Sequence, residues 1–125
     1  RLEPSRPNRF RKTHRLLDAA AFARVFDQAE RSRDRLFTVL CRSNDRETAR
    51  LGLAISKKHC RKATDRNRIK RVIRESFRHN TDSLAGLDVV VLNKAETAAA
   101  GNPELFASLE KHWRRCARNA ASGKQ

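Results

Sequence analysis

The chain has 125 residues, with 29 Lys plus Arg against 14 Asp plus Glu, a formal charge of +15 and a pI near 11.3. An apolar content of 38% supplies one modest core rather than two, which excludes a two-domain enzyme and points to a single domain over residues 1–125. The cations are mostly guanidinium, 21 Arg to 8 Lys, and a planar fork suits phosphates and stacked bases, so a polyanionic partner is the first inference. Charge alone does not choose among RNA, DNA and anionic lipid. The longest apolar run, Val89 to Leu92 with Leu87 just before it, falls far short of the roughly 18 to 20 residues of a membrane span. Cys41, Cys60 and Cys116 are odd in number and lack CxxC spacing, which argues against a disulfide framework and a structural zinc site and for a reducing cytoplasm.

Residues 1–15 carry six cations, Pro4, Pro7 and a lone aromatic, Phe10, and read as a flexible basic arm without the apolar stretch of a secretory signal. The start at Arg1 rather than Met fits a trimmed terminus. From Asp18, a natural N-cap, Phe22, Val25, Phe26 and Ala29 recur at helical spacing. Arg31 to Arg35 reads as a charged turn. Leu36 to Arg42 alternates as a strand, with Phe37, Val39 and Cys41 on one face and Leu36, Thr38 and Leu40 on the other. Ser43 to Thr48 suits a hairpin connection to a second strand, in which Leu51, Leu53 and Ile55 alternate with the small residues Gly52, Ala54 and Ser56. After a loop, a helix is predicted from near Asp65 to Asn80. LDVVVLN, Leu87 to Asn93, is the β-branched run of a strand covered on both faces. Asn102-Pro103-Glu104 opens a last helix whose stripe is Leu105, Phe106, Leu109, Trp113, Cys116 and Ala117, and residues 120–125 read as a flexible tail. This order predicts an α/β sandwich on one small sheet, with three visible strands, room for a fourth, and a parallel pair joined by the middle helix.

The middle segment carries the chemistry. Lys57 to Arg78 holds ten Lys or Arg against Asp65 and Glu75 in 22 residues. At about 100° per residue, Val72, Ile69, Ile73 and Phe77 share one arc, while Arg66, Lys70, Arg74, Arg78, Arg71 and Arg68 fill the other with Asn67 among them. A solvated helix face usually intersperses acids with bases, whereas here the like charges repel and call for a polyanion to offset them. Asn67 adds an amide that can donate and accept at a base edge or ribose hydroxyl, or simply face water. Phe22 and Phe26, at i and i+4, fit a core face or a platform on which unpaired bases stack. His14, His59, His79 and His112 form no metal-ligand spacing, and no paired-carboxylate, triad or glycine-rich phosphate motif is visible in the sequence.

The stretch RLGLAISKKHCRKATDRNRIKRVIRESFR closely resembles the signature of the bacterial ribonuclease P protein family. The likeness rests on Gly52, Ser56, Lys57-Lys58 and Arg66-Asn67-Arg68 followed by Ile69, Lys70, Arg71 and Arg74, and extends to FARVF, DVVVLNK and LFASLEKHWRR in the family's order. What it implies is a small mixed sheet of about four strands with three helices and a left-handed βαβ crossover. It further implies a non-catalytic subunit of an endoribonuclease whose RNA subunit performs Mg²⁺-dependent removal of the 5′ leader from precursor tRNA. Its partners would be the ribonuclease P catalytic RNA and the precursor tRNA, with no membrane, no DNA and no cofactor or metal of the protein's own. Carried over residue by residue, Arg66, Asn67, Arg68, Lys70, Arg71 and Arg74 would meet the catalytic RNA. Phe22, Phe26, Phe37, Lys57, Lys58 and Lys94 would line a cleft for the leader, so the resemblance favours the stacking role for the first two rings. Asn93 departs from the family, which often has a cation there. The rival expectations are a generic basic RNA- or ribosome-binding protein without an enzyme, a protein-only nuclease, and a DNA-binding module, for which no helix-turn-helix or finger spacing is present.

Overall fold

The structure, a computed structural model, describes residues 19–44 and 46–123. The basic arm 1–15 and Asp18 lie outside them. The elements in chain order are α1 (Ala19–Gln28), β1 (Glu30–Arg33), β2 (Phe37–Ser43), β3 (Arg50–Ala54), α2 (Ala63–Arg78), β4 (Leu87–Asn93), a 3-10 turn (Thr97–Ala99) and α3 (Asn102–Gly123). The sheet order is β1-β2-β4-β3. β1 and β4 run antiparallel to β2, and β3 runs parallel to β4 through the α2 crossover.

β4 is central, as its apolar run demands: Val89 and Val91 face one core and Val90 the other, all fully buried. The larger core lies between the sheet and the α2/α3 pair. Ile69, Val72, Ile73 and Phe77 from α2 and Leu105, Leu109, Trp113 and Cys116 from α3 meet Phe37, Val39, Cys41, Leu51, Val89 and Val91 there. Trp113 locks the two helices together: its ring lies 5.9 Å from that of Phe77 at 73°, and its indole N–H donates to Ser76 Oγ at 2.8 Å. α1 covers only part of the opposite face, where Val25 packs on Leu40 and Val90 with Ala29, Ala54 and Leu92 around them.

Two side chains fix the β3–β4 register from both ends. Asp88 accepts a bidentate pair from Arg50, 2.8 Å at each oxygen, and a third bond from Asn44 Nδ2. At the other end Asn93 Oδ1 accepts from the backbone N–H of Ser56 at 2.8 Å and its Nδ2 donates to the Ser56 carbonyl, continuing the ladder by one rung. The departure at Asn93 is therefore structural in this chain. Gly86, at φ +86, makes the turn into β4, a left-handed conformation that side chains disfavour.

Several expectations need correction. The charged turn at Arg31 is the fourth strand, β1, built on one inward residue: Ser32 is buried and bonded to His112 Nδ1 at 2.6 Å, while Arg115 donates to the same hydroxyl. Residues 43–48 do not make a hairpin, because β4 lies between β2 and β3. α2 begins at Ala63, two residues before Asp65, which then sits in the first turn where its charge favours the helix dipole. α3 takes in residues 120–123, expected in the tail. Cys41, Cys60 and Cys116 are all buried.

Candidate nucleic-acid interface

α2 presents its apolar stripe to the core and its cations outward, but the cations divide into two groups. Arg66 and Arg68 are turned onto the protein itself. Arg66 Nη1 donates to the carbonyls of Cys60 and Arg61 at 2.9 and 2.7 Å, tying down the loop that enters the helix. Arg68 donates to the carbonyls of Ala98 and Ala100 and to Asn102 Oδ1 at 2.8 Å, clamping the start of α3 to α2. Asn67, Arg71 and Arg74 are exposed and Lys70 is half-buried, and among the described residues none of the three cations has a carboxylate partner. Positions 67, 70, 71 and 74 are one and two turns apart, so they form a single stripe along the helix. Arg78, at its end, is neutralised by Glu75, which also meets His79.

The α1 side of the sheet holds the second group of candidates. Phe26 is 44% exposed, the large apolar side chain most open to solvent among the described residues. Phe22 lies one turn earlier on α1, and its side chain is outside the described residues. Lys57 and Lys58 are exposed in the turn after β3. Lys94 sits at the same end of the sheet, but its Nζ donates to the Asp34 carbonyl at 2.7 Å and so also closes the β1–β2 turn. Phe37 does not join this group, which corrects the expectation. Strand alternation sends its ring into the α2/α3 core, where it is fully buried. Next to it in β2, Thr38 faces the α1 side at this end of the sheet, half-buried between Arg33 of β1 and Leu92 of β4. The signal was already in the sequence, since the alternation of Leu36 to Arg42 separates Phe37 from Thr38.

Sequence reasoning also missed the hub at Asp34. Its carboxylate accepts from the backbone N–H groups of Leu36 and Phe37 at 2.9 Å and from Ser108 at 2.7 Å, with Lys111 at 3.2 Å and buried His112 at 3.3 Å. Burial works to raise this carboxyl, but the Ser108 and backbone bonds and the adjacent His112 outweigh it and hold it well below the usual range. Burial pushes His112 down from its ordinary value, against the pull of Asp34. The Cys41 sulfur beside Cys116, together with burial, pushes the Cys116 thiol far up, which leaves it unreactive. Among the described residues no three His, Cys, Asp or Glu side chains gather so as to hold a metal ion, and no helix is long and apolar enough to cross a membrane.

A mixed sheet backed by two helices, with an unneutralised basic stripe on one helix and an aromatic ring beside a half-covered sheet face, defines a small scaffold for polyanions. The comparisons give the family. The Ribonuclease P family model matches residues 10–117. A ribonuclease P protein component of Methylococcus capsulatus is 46% identical over 111 residues, covering 86% of this chain and 87% of that protein, and one of Nitrosococcus oceani is 45% identical over 104 residues, covering 83% and 87%. The RNase P protein of Staphylococcus aureus superposes with a TM-score of 0.75 at 30% identity, over 85% of this chain and 96% of that one. That of Thermotoga maritima gives 0.72 at 29% identity, over 81% and 96%. The chain belongs to the ribonuclease P protein family and is a protein component of that endoribonuclease.

Proposed function

We propose that the chain bridges two RNAs, the catalytic RNA of ribonuclease P and the 5′ leader of precursor tRNA, and so promotes release of the leader. The observation that carries this reading is the stripe Asn67, Lys70, Arg71 and Arg74, three cations on one helix face with no carboxylate partner among the described residues. This stripe docks on the catalytic RNA, while Arg66 and Arg68 hold the loop and the α3 start in the shape that presents it. The leader, being single-stranded, is received on the α1 side of the sheet, where Phe26, with Phe22 one turn away, offers base stacking and Lys57 and Lys58 offer phosphate contacts.

Two RNAs brought together repel, and a +15 chain between them offsets that repulsion and holds the leader near the scissile bond. The chemistry belongs to the RNA subunit and its Mg²⁺, in the cytoplasm, and the protein raises substrate affinity rather than supplying an acid or base. Activity of the RNA alone is then recoverable with added Mg²⁺ or salt, because ions screen the same phosphates. The test is cleavage of a 5′-labelled precursor tRNA at low Mg²⁺ by the protein, by a bacterial ribonuclease P RNA, and by both. Leader released only in the combined reaction supports the proposal. Cleavage by the protein alone overturns it in favour of a nuclease, and no stimulation of a competent RNA overturns it in favour of a general RNA-binding protein.

A further inference from the structure

The strand registers place Arg33, Thr38, Leu92 and Ala54 in one row across the α1 side of the sheet, with Arg31, Leu40, Val90 and Gly52 in the next. α1 seals the second row through Val25, whereas Thr38, Leu92 and Ala54 of the first are only half-buried. That open row has a cationic bank at each end. Beyond Ala54 the chain leaves β3 into exposed Lys57 and Lys58, and on the far edge stand Arg33 and Arg31. Because Ser32 turns inward to His112, alternation sends both arginines to the α1 side and Glu30 to the other. Both are exposed, and neither has a carboxylate partner among the described residues. Three strand spacings separate the banks, about 14 Å, so only an extended anion can engage both.

The geometry points to Arg31 and Arg33 as a second phosphate-binding bank for single-stranded RNA, reached only by a leader long enough to cross the sheet from Lys57–Lys58 over Leu92 and Thr38. This rests on the leader-binding reading above and adds a direction to it. α3 packs over β1 and β2, so α2, beside α3 and directly following the Lys57–Lys58 turn, lies toward the β3 edge. The docked catalytic RNA, and with it the cleavage point, is thereby at that edge, and β1 is the distal end of the path. Charged side chains on an edge strand can also serve merely to block pairing with another chain. The two roles differ in sign: Glu at both positions still blocks pairing but repels phosphate.

The experiment measures affinity of the assembled holoenzyme for precursor tRNAs whose leaders lengthen one nucleotide at a time, with the wild type, R31E/R33E and R31K/R33K. Affinity of the wild type is expected to climb with leader length to a plateau. R31E/R33E is expected to match it for the shortest leaders and to lose roughly tenfold at the plateau, with R31K/R33K in between. An unchanged melting temperature shows that the variant is folded. A loss of equal size at every length, or no loss at the plateau, overturns the assignment while leaving leader binding intact. A wild type whose affinity ignores leader length overturns both.

Discussion

The two faces of the sheet have been put to different uses. Against α2 and α3 twenty buried residues form one continuous cluster. Against α1 the apolar cluster shrinks, among the described residues, to Val25, Leu40 and Val90, and Thr38, Ala54 and Leu92 beside it stay half-open between cations. The lesson is that stability and recognition are divided by face rather than by sequence segment. α2 and β2 each contribute to both, and adjacent residues in them do different work.

The comparison breaks most visibly at Trp113. Trp113→Ala removes the ring against Phe77 and leaves Ser76 Oγ without its donor, and is expected to cost about 3–5 kcal/mol in urea unfolding. The division inside α2 comes next. Arg68→Ala strips the Ala98 and Ala100 carbonyls of their donor and is expected to cost about 1–3 kcal/mol of stability, whereas Arg71→Ala leaves the melting temperature unchanged and weakens binding to the catalytic RNA with a shallower salt dependence. Equal melting temperatures for the two variants would dissolve the distinction. On the open face, Phe26→Ala is expected to lower affinity for leader-bearing precursor by about 1–3 kcal/mol while affinity for mature tRNA holds, measured with the same holoenzyme. The smallest effect is a pH dependence. His112 is held below its usual 6.5 by burial, so as pH falls through 6.5 the unfolded chain takes up a proton that the folded chain refuses. Stability is full above that point and declines below it. The urea midpoint should fall between pH 7 and pH 5, and His112→Gln should flatten the slope.

How much of this was legible depended on whether a residue's role is written in its own neighbourhood. β2, β3 and β4 were visible from alternation and β-branching, and the basic stripe from spacing alone. β1 was not, because ERSR carries no apolar residue. Its inward position is a serine made tolerable by His112, eighty residues away. The placement of β4 between β2 and β3 was hidden for a similar reason, since a short polar connection reads as a hairpin whether or not the strands it joins are paired. The split between Arg66 and Arg68 on one side and Lys70, Arg71 and Arg74 on the other was also invisible. A helical wheel assigns direction, but not the backbone carbonyls that happen to lie within reach.

Because β4 sits between β2 and β3, the parallel edge strand has no neighbour until residues 87–93 exist. During synthesis β1 and β2 can pair as soon as they emerge, but β3 must wait for a strand encoded more than thirty residues later, the apolar side of α2 waits for the same strand, and the Trp113 lock comes later still. The main core therefore closes only when the chain is nearly complete.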